Sequence, residues 1–456
     1  MLKVTIPSNL KSQRQYILNV LLTEFLGISF STEIKNINNI QITYENKTLS
    51  IADTFFQQAA NNWLQTESLP TLPLAQWNVS EDITDVNLVS NSVPIIFSDD
   101  IYLKSHNNGL YLGLDIFGSA FFMLSRYEEA VKSERDTHDR FPATASLAYQ
   151  ADFLLRPIVN EYLEILWSCM KQLWPQLERK PRDFRMLVSH DVDAPFEYSL
   201  FSPYRLLKRM AGDVLRRQNP IESLRHWLNI RLKNDVTLDP VYTFDYIMDI
   251  SERHGLSSAF YFITDHSAGA IDGLYSMQHP EIRRLLRNIH TRGHEIGLHT
   301  SYNTYNDSAQ TVKEFEILKQ ACEQEDIGQT TWGGRQHFLR WKTPTTFSNW
   351  DAAGLDYDTT LSFADYVGFR CGTCYEYPVY DVLNQQQLKL RERPLIAMEC
   401  TVIDKRYMAL GTGEAALEVF LSLKKTCQQF DGDFTLLWHN SRLVEVEERG
   451  LYEAIL

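Results

Sequence analysis

The sequence predicts an α/β protein, with a parallel sheet or barrel in its C-terminal part and a smaller mixed α/β domain before it. From residue 184 onward, short apolar segments alternate with longer segments of helical periodicity. The chain of 456 residues is long enough for two domains. A charged, proline-containing segment at 178–183 is typical of a domain boundary. We therefore predict an N-terminal domain over 1–176, a linker over 177–183 and a C-terminal domain over 184–456.

The N-terminal part carries both helical and strand patterns. Apolar residues repeat at helical spacing over 13–25, 115–129 and 157–173. Residues 40–51 alternate between apolar and polar around a turn-forming Glu45-Asn46-Lys47, which predicts a hairpin. No catalytic pattern stands out in this part, and its role does not follow from the residues.

The C-terminal part contains seven predicted strands separated by helices. Alternation of this kind predicts parallel strands joined by crossover helices, whose carboxyl ends meet at one edge of the sheet or barrel. Functional residues of such folds lie at that edge. The predicted strands are 184–188, 259–263, 295–299, 336–339, 357–359, 395–399 and 434–438.

Charged and imidazole side chains follow several of these strands. Asp191 and Asp193 come after a buried strand and share a face, because alternate residues of an extended chain point the same way. His299 and His439 end two further strands. A single such residue is commonly a solvated aspartate or a structural histidine, but four of them at one edge indicate a metal or catalytic site.

Composition and charge exclude some classes of partner. The formal net charge of −14 argues against a nucleic-acid-binding protein, because the phosphate backbone would repel it. No apolar run reaches the roughly 20 residues of a transmembrane helix, and the N-terminus lacks the pattern of a signal peptide. Six dispersed cysteines are typical of reduced thiols. We therefore expect a cytoplasmic protein without a transmembrane segment.

Taken together, the motifs resemble the polysaccharide deacetylase family, carbohydrate esterase family four, over about residues 184–445. The resemblance implies a distorted (β/α)7 TIM-like barrel, and residues 1–176 are similar to the accessory domain that precedes some of these barrels. It also implies that Asp191 is the general base, Asp193 and His299 are metal ligands and His439 is the general acid.

The chemistry of these residues agrees with the resemblance. A divalent metal, zinc being the expected one, lowers the pKa of bound water and polarises a carbonyl group. The resemblance thus predicts a metal-dependent hydrolase of carbon–nitrogen bonds other than peptide bonds. Its carbohydrate substrate would lose an N-acetyl group from an amino sugar during polysaccharide biosynthesis. A hydrolase of a non-sugar amide or cyclic imide is the alternative enzyme.

One position departs from the family pattern. The family has a second histidine four residues after the first, where this chain has Asn303 after His299. The neutral carbonyl oxygen of asparagine suits harder ions than zinc. Either Asn303 is a weak third ligand, or another side chain such as His190 or His294 replaces it, or the barrel has lost its metal and only binds a glycan.

Less specific sequence patterns predict four further site residues. Arg340, with Arg335 as the alternative, matches the family arginine that orients the catalytic aspartate, although the usual spacing is absent and a structural arginine fits equally. Arg370 follows a glycine turn and is a candidate for binding a substrate oxygen. Trp438 and Tyr302 lie near predicted strand ends, where aromatic rings either stack on sugars or fill the core.

The segment 204–235 differs in charge from the rest of the chain. Basic residues outnumber acidic ones, and apolar residues follow helical spacing. The ordinary interpretation is a helical hairpin with a solvated basic face. The functional alternative is a lid that contacts an anionic glycan or a membrane surface.

Overall fold

The computed structural model describes residues 1–106, 108–200, 202–215 and 219–456. Strands and helices alternate along this part of the chain, which confirms the predicted α/β class. The strands are β1 Leu2–Ile6, β2 Phe30–Ile34, β3 Asn39–Tyr44, β4 Lys47–Ala52, β5 Ala75–Asn78, β6 Ser92–Ile95, β7 Ser98–His106, β8 Gly109–Leu114, β9 Arg185–Val192, β10 Ser258–Ile263, β11 Glu295–Thr300, β12 Gly333–Gln336, β13 Tyr357–Asp358, β14 Tyr377–Asp381, β15 Gln386–Glu392, β16 Ala397–Met398 and β17 Asp433–Leu437.

Most helices are short, and a π-helix at Asn19–Phe25 continues the first of them. None of the helices in the described residues is long and apolar enough to cross a membrane. The α-helices are α1 Lys11–Leu18, α2 Thr54–Ala59, α3 Ile116–Leu124, α4 Tyr127–Val131, α5 Leu147–Gln150, α6 Ile158–Leu173, α7 Pro203–Leu215, α8 Pro220–Lys233, α9 Phe244–Arg253, α10 Pro280–Thr291, α11 Ser308–Glu323, α12 Thr345–Ala353, α13 Glu399–Ile403, α14 Glu414–Gln429 and α15 Val446–Ile455.

Two compact units divide the chain. Unit 1 comprises Met1–Arg185, Leu339–Ala397 and Ser422–Phe434, and unit 2 comprises the remaining residues between Met186 and Leu456. Each unit combines segments that are distant in sequence but contact one another. Two segments of the predicted 184–456 domain therefore belong to the same unit as the N-terminal residues.

Unit 1 contains a six-stranded sheet in the order β2-β1-β3-β4-β8-β7. Strands β3 and β4 are the predicted hairpin, and they pair antiparallel with Tyr44 opposite Lys47. Glu45 and Asn46 between them both have positive φ, as a two-residue turn between twisted strands requires. The predicted helix over 115–129 is interrupted by Arg126, which has a positive φ, so α3 and α4 are separate helices.

Unit 2 contains the parallel strands that position the candidate site. Strands β12, β11, β10 and β9 lie in that order, each parallel to its neighbour, and β17 follows β9. Asp191 is in register with Tyr261, and His299 is in register with Ile263. The carboxyl ends of these strands therefore meet at one edge, as the sequence predicted.

Strand β12 lies three residues earlier than the sequence predicted, at Gly333–Gln336 instead of 336–339. Its glycines are weak strand formers, but a Cβ atom at Gly334 would lie 1.8 Å from the backbone oxygen of Leu298 in β11. Only glycine allows the two strands to pair this closely. As a consequence, His337 follows the end of a strand instead of lying inside one.

The segment 204–235 forms the predicted helical hairpin, α7 and α8. One face of each helix packs into a small apolar cluster with Tyr198, in which Leu206 and Ile230 are buried. Arg216 and Arg217, which contribute to the basic balance of the segment, lie outside the described residues.

Candidate metal and catalytic site

Three side chains of unit 2 converge at the carboxyl edge of the parallel strands. Asp193 follows β9, His299 lies in β11 and His337 follows β12, and each offers a ligand atom within 4.8 Å of the others. Oδ1 of Asp193 lies 3.3 Å from Nε2 of His299 and 3.6 Å from Nε2 of His337. Three strands of one sheet, β9, β11 and β12, thus each supply one metal-ligating group.

Two atoms of this cluster lack hydrogen bonds. Within the part of the chain that the structure describes, Oδ1 of Asp193 and Nε2 of His299 are buried and have no hydrogen-bond partner of normal geometry. Leaving a buried polar atom unsatisfied costs free energy, and such an atom in a folded protein calls for a ligand or an ion. A cation bound between these atoms would satisfy both.

Hydrogen bonds on the far side of each ring fix the orientation of both histidines. Nδ1 of His299 donates to the backbone oxygen of Arg335 at 2.9 Å. Nδ1 of His337 donates to Oδ1 of Asp272 at 3.1 Å. Asp272 is itself held by the backbone N–H groups of Tyr302 and Ala268, each at 2.6 Å. Both Nε2 atoms therefore face the cluster, and partners of this kind are typical of metal-binding histidines.

The charges of the cluster depend on one another. Burial opposes ionisation of Asp193, but the neighbouring histidines outweigh it and hold the pKa of this carboxyl well below its usual range. Burial also opposes the charge on His337, yet the carboxylate of Asp193 and the hydrogen bonds raise the pKa of this imidazole to about 9. The carboxyl of Asp193 and the imidazole of His337 therefore each favour the charged form of the other.

Asp191 lies beside this cluster and contacts an arginine. Nη1 of Arg335 donates to Oδ1 of Asp191 at 2.7 Å, and Nη2 donates to Oγ of Ser189 at 2.9 Å. The other oxygen of Asp191 lies 3.6 Å from Nε2 of His299. Burial favours the neutral acid, but the positive charge of Arg335 outweighs it and lowers the pKa of Asp191. Asp191 is thus an oriented carboxylate.

On the other side of Asp193 lies His439, which follows β17. Its Nε2 is 3.8 Å from Oδ2 of Asp193, and its Nδ1 is 2.5 Å from Oε1 of Glu399. Burial favours neutral imidazole, but the charge of Glu399 raises the pKa of His439 well above its usual value. Cys400 contacts the same histidine at 3.8 Å, and burial raises the pKa of its thiol to about 11. Nδ1 of His439 therefore faces Glu399, while its Nε2 faces Asp193.

The structure brings four of the predicted site residues together, namely Asp191, Asp193, His299 and His439. It places the predicted third ligand differently. Asn303 is exposed, and its side-chain amide donates to the backbone oxygen of Ser267.

The two histidines considered as replacements for Asn303 also have other partners. Nδ1 of His190 donates to the backbone oxygen of Trp438, and Nδ1 of His294 accepts from the backbone N–H of Ser258. His337, which the sequence analysis missed as a ligand, completes the cluster.

The remaining predicted residues have other surroundings. Arg340 belongs to unit 1, where its Nε donates to the backbone oxygen of His138. The guanidinium on Asp191 is that of Arg335, so we assign the orienting role to Arg335. Arg370 also belongs to unit 1, where it forms a buried ion pair with Glu129. Both arginines are buried and bind protein groups of unit 1, and their predicted roles at the site stay predictions.

The two predicted aromatic contacts differ in exposure. Trp438 is fully buried, and its ring packs against Phe420 and Tyr452. It is therefore a core residue, because no face of its ring is open to a sugar. Tyr302 is half-buried and contacts the ring of Phe338, which is exposed.

Comparison with known proteins adds two findings. Residues 2–175 match a family described as "Family of unknown function (DUF7033)", which covers less than half of the chain. The chain is similar to the crystal structure of a "putative polysaccharide deacetylase" from Mycobacterium smegmatis, at 17% identity and a TM-score of 0.38, over 60% of this chain and 83% of that chain. None of the curated proteins matches. A functional proposal for this protein therefore rests on the side chains of unit 2 and not on these similarities.

Proposed function

We propose that this protein is a cytoplasmic, metal-dependent deacetylase of the polysaccharide deacetylase type. It would remove the N-acetyl group of an amino sugar during polysaccharide assembly, with the parallel strands belonging to a distorted (β/α)7 barrel. The observation that carries the proposal is the convergence of Asp193, His299 and His337 beside an oriented carboxylate and a cationic imidazole.

The three converging side chains fit a catalytic zinc ion. Two imidazoles and one carboxylate form a common ligand set of zinc hydrolases, which leave a further position for water or substrate. Asp193, His299 and His337 would hold the ion, and the buried, unsatisfied atoms among them support this assignment. When bound, zinc would make water acidic near neutral pH and polarise the acetyl carbonyl.

Asp191 would act as the general base. It lies next to the ligand cluster, since its Oδ2 is 3.6 Å from Nε2 of His299. Arg335 holds the opposite oxygen and keeps the carboxylate ionised, so that the free oxygen can accept the proton of the attacking water. Ser189 accepts a second hydrogen bond from the same guanidinium and thereby fixes its plane.

His439 would act as the general acid. Nδ1 of its imidazolium donates to Glu399, which leaves the proton on Nε2 directed toward Asp193 and the space beside it. Loss of this proton to the leaving amine would complete cleavage of the carbon–nitrogen bond. Nearby, Arg442 contacts Cys400 and forms ion pairs with Asp404 and Glu448.

The edge of the site offers an aromatic surface for a sugar ring. Tyr302 and Phe338 lie with ring centroids 5.2 Å apart, and the ring of Phe338 is 4.7 Å from that of His337. Aromatic faces at such a position can stack against the apolar face of a pyranose. This surface supports a carbohydrate over a non-sugar amide as the substrate.

The proposal is tested with zinc-loaded protein, an N-acetylated oligosaccharide and an assay of released acetate. Replacing Asp191 with Asn should lower the rate by about 10²–10⁴-fold and leave one zinc per chain, because a base is lost but no ligand. Asp265→Asn is the matched control, since this aspartate is partly exposed and ion-pairs with Lys313. An unchanged rate in Asp191→Asn would refute the assignment of the base.

A further inference from the structure

The helical hairpin of α7 and α8 exposes an unusual amount of apolar surface. In the part of the chain that the structure describes, nineteen large hydrophobic side chains are exposed, and seven of them lie between residues 203 and 233. Single exposed apolar residues are ordinary, whereas a concentration of them marks an interaction surface. The seven are Tyr204, Leu207, Val214, Leu215, Ile221, Leu228 and Leu232.

Each helix of the hairpin is apolar on two opposite faces. One face is already packed, since Leu206 of α7 and Ile230 of α8 are buried in the cluster with Tyr198. The exposed residues form a second face, because positions spaced by three, four, seven or eleven residues lie on one side of a helix. The fold of unit 2 therefore accounts for the first face but not for the second.

The charge of the hairpin is opposite to that of the chain. Residues 203–233 contain eight lysines and arginines but only two acidic residues, whereas the whole chain has a net charge of −14. Lys208, Arg225 and Lys233 are exposed on the same helices as the apolar residues. A helix with apolar residues beside lysine and arginine is typical of contact with an anionic lipid surface.

An apolar cavity connects this hairpin with the candidate metal site. The cavity has a volume of about 390 Å³, and its lining includes both Asp193 of the candidate site and Arg205 of α7. Phe196, Leu200 and Leu274 also line it. An apolar chain attached to a sugar at the metal site would thus find apolar walls on its path toward the hairpin.

We propose that α7 and α8 dock on an anionic bilayer and that the amino sugar processed at the site is carried by a lipid in that bilayer. The exposed faces enter the interface, the basic residues contact lipid headgroups, and the cavity holds the first part of the lipid chain. The identity of the substrate rests on the proposed deacetylase function, whereas docking itself rests only on the hairpin.

The test is flotation of the full chain with vesicles of phosphatidylcholine containing phosphatidylglycerol, compared with vesicles of phosphatidylcholine alone. We expect binding to the anionic vesicles at low salt, with at least a tenfold loss in the double variant Leu207→Glu/Leu232→Glu. The charge variant Lys208→Glu/Arg225→Glu should show a similar loss. Failure of the unaltered protein to float, or equal flotation of the variants, would overturn the proposal.

Matched controls separate docking from folding and from metal binding. Leu155→Glu/Leu383→Glu introduces the same charges at two exposed leucines of unit 1 and should float like the unaltered protein. All hairpin variants should retain one zinc per chain, while Asp193→Ala should lose zinc and still float. The proposal would also be overturned if the unaltered protein did not bind vesicles but formed a dimer that dissociates in Leu207→Glu/Leu232→Glu. The exposed surface would then be an interface with a second copy of the chain.

Discussion

Two clusters of buried charged residues differ in whether all of their buried polar atoms have hydrogen-bond partners. In unit 1, Glu129 accepts hydrogen bonds from Nε of Arg126 and from Nε and Nη2 of Arg370. None of these three side chains has a buried polar atom without a hydrogen-bond partner among the described residues. In unit 2, Asp193 and His299 have such atoms.

This difference supports the proposal that the cluster of unit 2, but not that of unit 1, binds a ligand. The arginines of unit 1 surround a carboxylate and leave no atom for a ligand, so this cluster stabilises the fold. The cluster of unit 2 is oriented by hydrogen bonds on its outer side only, at Nδ1 of His299 and of His337. The ligand atoms of Asp193, His299 and His337 lie within 4.8 Å of one another, and a bound cation would bridge such distances.

The largest effect on stability should come from breaking the cluster of unit 1. Replacing Glu129 with Gln leaves the buried guanidinium of Arg370 without its carboxylate and leaves Arg126 only Glu128, which should lower the free energy of unfolding by about 3–5 kcal/mol. Chemical denaturation measures this change, and zinc content per chain should stay the same. A change below about 1 kcal/mol would mean that this cluster does not hold the fold together.

A second prediction compares two buried histidines of unit 2. His190 has partners at both ring nitrogens, the backbone oxygen of Trp438 and the hydroxyl of Tyr452, and burial lowers its pKa to about 4. The unfolded chain therefore binds a proton near pH 6.5 that the folded protein takes up only near pH 4.

The contribution of neutral His190 to the free energy of unfolding is fully present above pH 6.5. It is lost as the pH falls toward 4. The loss amounts to about 3 kcal/mol, from the difference between the two pKa values. Denaturation curves at pH 7 and pH 4 should show this extra loss for the unaltered protein relative to His190→Asn. Equal losses in both proteins would show that the pKa of His190 is not lowered in the folded protein.

A smaller effect is expected from the residue that orients His337. Asp272→Asn keeps the ligand set but weakens the hydrogen bond to Nδ1, so the affinity for zinc should fall by about 10–100-fold, or roughly 1.4–2.7 kcal/mol. Competition with a chromogenic chelator measures the affinity, with Asp265→Asn as the control. An affinity within twofold of the unaltered protein would remove Asp272 from the site.

Much of this arrangement was predictable from periodicity and strand ends. Apolar runs located β9, β10, β11 and β17 to within a few residues, and the rule that functional groups follow parallel strands selected Asp191, Asp193, His299 and His439. The same rule applies to His337. It was missed because Gly333 and Gly334 are weak strand formers, and the predicted strand therefore began too late.

Other site residues depend on contacts that a sequence does not contain. The choice between Arg335 and Arg340 for Asp191 depends on which side chain the pairing of β11 with β12 directs toward β9. Glu399 ends the predicted strand 395–399, but its contact with His439, forty residues later, follows from no spacing rule. Asp272 follows no predicted strand, and only its hydrogen bond to His337 reveals its role.

We propose that His337, rather than Asn303, completes a metal site with Asp193 and His299. The most direct test is elemental analysis of the full chain after incubation with zinc and gel filtration. We predict one zinc per chain in the unaltered protein and in Asn303→Ala, and less than a tenth of that in His337→Ala. Full zinc content in His337→Ala, or its loss in Asn303→Ala, would contradict the assignment.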